Sequence, residues 1–258
     1  MFVSVFPYLR TARLGFNLET DCNPKISVKT HAKISTVVTD TNVAKLHLDN
    51  LTTVLQGLGI RTHTLIVKPG DESKSLKTYE GLLEKCTSFK LDKASTVISF
   101  GGGVVGDVAG FLAATLFRGV NFVNIPTTVL NQVDAAIDWK KGLNLPYGKN
   151  MIGAMHSPSE VWVNAAFLRT LDDRYIKDGL SECVKMALCQ STNLLDNLHH
   201  PEFNDEEWME NVINDSAALK TGLSKYFSLT KKPFNPDLIL RHNRKTCLRL
   251  SAIFKFQS

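Results

Sequence analysis

The chain has 258 residues, 43% of them hydrophobic, enough for one large domain or two ordinary ones with a sizeable core. No run of 18 apolar residues occurs, which argues against a transmembrane helix and a membrane partner. The net charge of +5 is concentrated in a tail: residues 230–258 carry +6, leaving the rest at −1, so a nucleic-acid partner is not expected.

The N-terminal stretch MFVSVFPYLRTARLGF is apolar with a few arginines and no acid. It lacks a basic leading region and a clear cleavage site, so a cytoplasmic location is expected, with organellar targeting left open. Five cysteines (Cys22, Cys86, Cys183, Cys189, Cys247) are scattered without a CxxC pair, as expected of reduced thiols.

Residues 33–39, KISTVVT, predict a buried strand ending at Asp40. Apolar residues at helical spacing predict a helix over 43–59, closed by Gly59. RTHTLIV (61–67) predicts a second strand, stopped by Pro69 and Gly70, and 75–88 a second helix. STVISF (95–100) predicts a third strand, 106–117 a helix, and NFVNI (121–125) a fourth strand before Pro126. Strands alternating with helices imply a parallel sheet and an α/β fold. Beyond about residue 164 helical patterns dominate, over 173–190 and 205–227. The expected organisation is a Rossmann-like α/β domain over 1–168 and an α-helical domain over 169–258, with an atypical tail from about 231.

The strongest local signal is VISFGGGVVGDVAGF. Three glycines between a strand and a helix leave backbone N–H groups at the helix N-terminus, where a phosphate is favoured. The triplet also fits a packing device, and GxGxxG at Gly101, Gly103 and Gly106 is a weak pattern taken alone.

Four further motifs follow in order downstream, RGVNFVNIPTT, QVDAAIDWKKGLN, GKNMIG and GLSECVK, and VVTDTNV and PGDESKSL lie upstream. Together with the glycine segment they resemble the sugar phosphate cyclase family, and within it the dehydroquinate synthases, over about residues 33–192. The resemblance implies NAD held between an α/β and a helical domain, a divalent metal (zinc or cobalt), a phosphorylated sugar substrate, phosphate elimination with ring closure, and a homodimer.

Carried over by motif, the resemblance implies NAD contacts from Asp40, Asn42, Asp71, Lys74, Gly101, Gly102, Gly103, Asp107, Thr127, Thr128, Lys140, Lys149 and Thr170. Whether Asp71 or its neighbour Glu72 meets a ribose hydroxyl stays open. It implies substrate contacts from Arg118, Asp134, Lys140, Lys149, Asn150 and Lys185, and a metal ligand in Glu182. Clustered cations suit a phosphorylated, carboxylated sugar. Taken without the resemblance, each lysine reads as a solvated surface residue, and Glu182 with Lys185 as a helical ion pair.

Two departures stand out. No GHxxxGH-like segment supplies the family's two metal-ligand histidines, and His199, His200 and His242 match nothing. The chain is therefore expected to be C-terminally truncated, with an incomplete metal site, binding NAD weakly and turning over no substrate. Asp138 and Trp139 also stand where dehydroquinate synthases have two glycines, which leaves open a deoxy-inosose or epi-valiolone synthase-like substrate. A non-catalytic NAD-binding fragment and a glycerol-dehydrogenase-like oxidoreductase are the readings from other classes.

Overall fold

The computed structural model describes residues 9–10, 34–190, 192–198 and 205–230. The tail from 231, with His242, and the histidines at 199 and 200 lie outside the described residues.

Six parallel strands form one sheet in the order β1-β8-β5-β4-β2-β3. They are β1 (Leu9–Arg10), β2 (Ile34–Asp40), β3 (Arg61–Val67), β4 (Thr96–Gly101), β5 (Asn121–Pro126) and β8 (Glu160–Trp162). The chain passes between them through α1 (Thr41–Val43), α2 (Asp49–Gly57), α3 (Leu76–Ser88) and α4 (Gly103–Thr115). An antiparallel hairpin, β6 (Lys140–Leu145) with β7 (Gly148–Met155), follows β5. Three helices complete the described chain: α5 (Asp173–Gln190), α6 (Thr192–Asn197) and α7 (Glu206–Thr230).

Local chemistry sets the boundaries. Asp40 caps α1 by accepting from the N–H groups of Asn42 and Val43, at 2.8 and 3.1 Å. Ser75 caps α3 by accepting from Thr78 N–H at 3.3 Å. Gly59 takes φ +75°, the left-handed conformation that closes a helix, directly after α2. The central strands are buried on both faces, which is why they read as continuous apolar runs rather than alternating ones.

Residues of alternate parity feed two cores. Val38, Val97 and Phe122 pack under α4, with Val105, Val108 and Leu112. Val37, Ile98, Phe100 and Val123 face the other way, onto Leu51, Leu55 and Trp162. A third cluster joins α5, α6 and α7 to Val129, Val133 and Ala136, which follow β5, and to Val161, Val163 and Leu168 around the expected boundary at 168.

The helix expected over 43–59 is broken by a π-helical turn, Ala44–Leu48. The extra residue in that turn rotates Leu46 outward, leaving it 50% exposed. The helix expected from 106 begins at Gly103, because Gly102 is its N-cap and the apolar stripe starts only at Val104.

Candidate active site

The parallel register places the C-terminal ends of β2, β4 and β5 side by side, with Thr39 opposite Phe100, and Gly101 opposite Pro126. Ligands of open α/β sheets bind at this edge. Asp40, Gly101, Gly102, Gly103, Thr127 and Thr128 all fall on it.

The glycines do two jobs there. A Cβ at Gly101 would meet Val105 at 2.8 Å, so this glycine is demanded by packing against its own helix. A Cβ at Gly102 would lie 3.2 Å from Thr128 Cγ2 and would crowd the entrance to α4. No side chain caps α4, so its first N–H groups are left for a ligand. The carbonyl of Gly101 accepts from Thr127 N–H at 3.0 Å and from Asn131 Nδ2 at 2.9 Å. Thr128 Oγ1 accepts from Asn131 N–H at 3.2 Å. The PTT loop is thereby clamped beside the bare helix terminus. An uncapped amide cradle walled by threonines fits a dinucleotide's diphosphate, so the residues present fit NAD.

Asn42 is exposed next to the Asp40 cap. Thr170 is exposed too, and donates to Phe167 O at 3.1 Å while its hydroxyl meets His47 Nε2 at 2.8 Å. Burial lowers the His47 pKa from its ordinary value.

A charged cluster lies across α4 from the cradle. Lys74 Nζ donates to Asp107 Oδ2 and to Asn150 Oδ1, both at 2.5 Å. The Lys74 and Asp107 side chains are only 10% and 20% exposed. Burial raises the Asp107 pKa, and outweighs the downward pull of the Lys74 ammonium. Asn150 sits at φ +57°, a left-handed conformation in the hairpin that carries it to Lys74. Lys149 pairs with Asp71 at 2.8 Å, and its hydrogen bond lowers the Asp71 pKa.

The other wall is built from the turn Asn131–Ala135 and the helices. Lys220 of α7 contacts Asp134 at 2.6 Å and Asp138 at 3.6 Å. Burial pulls the Lys220 pKa down, but Asp134 and Asp138 outweigh it and hold the group above the ordinary lysine value. On α5, Glu182 is paired with Lys185, three residues on. Gly179 allows this helix to press on the 129–130 backbone: a Cβ there would lie 2.4 Å from Val129 Cβ.

Between these walls is a cavity of about 540 Å³. Asp107, Asp134, Asp138, Lys140, Lys141 and Asn150 line it. Of the expected substrate residues, Asp134, Lys140 and Asn150 meet in this wall, while Lys149 and Lys185 are engaged by Asp71 and Glu182. Arg118 is exposed past the far end of α4, at φ +65°, outside the cavity lining. Lys220 and Lys141 are residues of this site that motif reading did not single out, and Asp138, noted there only as a departure from the family's glycines, lines the cavity. A usable signal existed for Lys141: strand alternation puts one of two adjacent lysines inside. Lys220 had none, being a lone lysine on a long helix.

The described residues do not complete a metal site. Among the described residues no three His, Cys, Asp or Glu side chains converge, and Glu182 holds Lys185 instead. A catalytic zinc normally takes three protein ligands.

Comparison with known proteins agrees with this geometry. Residues 64–178 match the family model "3-dehydroquinate synthase N-terminal". A 3-dehydroquinate synthase of Helicobacter pylori is 39% identical over 197 residues, covering 76% of this chain and 55% of that protein. One from Campylobacter curvus is 38% identical over 213 residues, covering 82% of this chain and 60% of that protein. The chain thus spans less than two thirds of the length of these relatives. Among solved structures, 2-epi-5-epi-valiolone synthase from Streptomyces hygroscopicus, with NAD+ and Zn2+ bound, is 25% identical with a TM-score of 0.73, covering 79% of this chain and 59% of that one. The glycine-bordered α4 terminus, the charged cavity beside it and these likenesses converge: the chain belongs to the dehydroquinate synthase family of sugar phosphate cyclases.

Proposed function

We propose that this protein serves an NAD-dependent, phosphate-eliminating cyclase that acts on a phosphorylated sugar. At substrate level the reading is conversion of 3-deoxy-arabino-heptulosonate 7-phosphate to 3-dehydroquinate, a shikimate-pathway step. The greater identity to dehydroquinate synthases than to the valiolone synthase supports that choice. The single observation that carries the reading is the pairing of a bare α4 terminus with a cavity on its flank lined by three aspartates and two lysines.

In this reading the amides at Gly102 and Gly103, with Thr127 and Thr128, hold the NAD diphosphate. Asp40, Asn42, Asp71 and Thr170 lie toward the adenosine half. NAD held there would supply reversible hydride acceptance from a substrate alcohol, the chemistry that acidifies the neighbouring carbon. Asp107, buried and tied to Lys74, positions the ring end of the cofactor. Lys140, which lines the cavity, offsets the negative charge of substrate; Lys149, Lys185 and Arg118 stand outside the lining and would have to leave their present positions to join it. Asp134, held by Lys220, and Asn150 orient its hydroxyls. The zinc or cobalt of related cyclases has no complete ligand set among the described residues, so no step is routed through it. A homodimer and a cytoplasmic setting accompany the reading.

The test is calorimetric titration of the 258-residue protein with NAD, followed by a reaction assay with added zinc or cobalt. NAD binding, and phosphate release from the heptulosonate phosphate without NADH build-up, support the reading. Absence of NAD binding overturns it. So does NADH build-up from a polyol without phosphate release, which marks an alcohol dehydrogenase.

A further inference from the structure

Lys141 combines deep burial with unspent bonding capacity. The residue is 3% exposed, while its neighbour Lys140 points outward with a side chain 78% exposed. Its stem crosses α4 at Gly110, where a Cβ would come within 2.6 Å of Lys141 Cδ. The ammonium ends 5.7 Å from the centroid of the Phe122 ring and donates to Ala135 O at 3.1 Å.

An ammonium has three N–H donors. Among the described residues Lys141 makes one hydrogen bond and no ion pair within 4 Å. The acids near it are committed elsewhere: Asp107 to Lys74, and Asp134 and Asp138 to Lys220. Burial lowers the Lys141 pKa, with Lys74 adding to the effect and the three aspartates opposing it. Such a group costs stability, because desolvation of the charge is not repaid by a partner. An uncharged side chain of equal length would fill the Gly110 notch without that cost. What distinguishes the lysine is that it borders the cavity, where the unused donors meet whatever enters.

We propose that Lys141 is a specificity-determining residue of this cavity, whose ammonium takes an anionic oxygen of the bound substrate. A phosphate and a carboxylate share the required chemistry, and a phosphorylated sugar acid carries both. The proposal rests on the cyclase reading above.

The experiment compares the full chain with Lys141→Met and Lys141→Gln. Glutamine retains a donor for Ala135 O and removes the charge. Each protein is saturated with NADH, so that the α4 cradle is filled, and is titrated with inorganic phosphate and separately with acetate. The expected result is binding of one anion by the wild type, weakened at least tenfold in both variants. The thermal midpoints of the variants are expected to equal or exceed that of the wild type. The arm that loses affinity identifies the group recognised. Equal anion affinity in all three proteins overturns the proposal, as does a lowered midpoint in Lys141→Met with unchanged affinity, which marks a merely structural tie to Ala135. If the wild type fails to take NADH, the cyclase reading falls. The phosphate titration of the NADH-free proteins then still decides the role of Lys141.

Discussion

Replacing Gly179 with alanine tests how α5 is seated. The added Cβ would lie 2.4 Å from Val129 Cβ, 2.7 Å from Val129 Cγ1 and 2.6 Å from the backbone nitrogen of Leu130. Carbon atoms in good contact stand roughly 3.5–4.0 Å apart, so the helix must retreat by about 1 Å. Overpacking of this kind costs about 1–3 kcal/mol. Alanine in a helix interior returns roughly 0.5–1 kcal/mol relative to glycine. The net expectation is a loss of about 1–2 kcal/mol, or several degrees in thermal midpoint at about 2–4 °C per kcal/mol for a chain of this size. Gly81 in α3 is the matched control. Nothing lies within 4 Å of its would-be Cβ, so Gly81→Ala keeps only the propensity gain. Urea or thermal unfolding followed by circular dichroism reads both. Opposite signs for the two variants are expected. Destabilisation of both, or of neither, would refute the reasoning from close approach.

Other changes probe the site itself. Gly102→Val places a branched side chain against Thr128 and is expected to weaken NAD binding more than tenfold by calorimetry while leaving the fold intact by circular dichroism. Lys74→Met strips a buried carboxylate of its ammonium and is expected to cost about 3 kcal/mol at neutral pH in denaturant titration. Adding Asp107→Asn to it should recover most of the loss, because no charge is then stranded. The raised Asp107 pKa fixes the sign of a pH effect. Its contribution to stability is fully present below the ordinary aspartate value of 3.8 and is lost as pH rises through the folded value. Asp107→Asn should flatten that fall in a stability–pH series.

The sheet was legible because its strands are short apolar runs punctuated by Gly, Pro and Asp. Val97, Ile98 and Phe100 are buried whichever face they take, so no alternation was needed to place them. The β6–β7 hairpin was not legible for the converse reason. Its apolar residues Met151 and Met155 are 59% and 67% exposed, so hydropathy along β7 runs against its environment. The bare N-terminus of α4 was legible from three glycines, though one of them, Gly101, turns out to serve packing against Val105. Asp40, expected as a ligand contact, spends Oδ1 on capping the helix that follows it. The Asp134–Lys220 contact joins distant parts of the chain, and only the folded backbone brings them together.

The shared cluster of Val133 and Ala136 with α5 and α7 has a thermodynamic consequence. Asp134 stands on that turn, so whatever occupies the cavity and whatever seats the helices draw on one equilibrium. A ligand that grips Asp134 better when the helices are seated must slow amide exchange along α5 and α7. By the same linkage, loosening the bundle at Trp208 must weaken that ligand, at most by the ratio of its affinities for the seated and unseated states. Helix seating and ligand affinity are thus two readings of a single coupling energy.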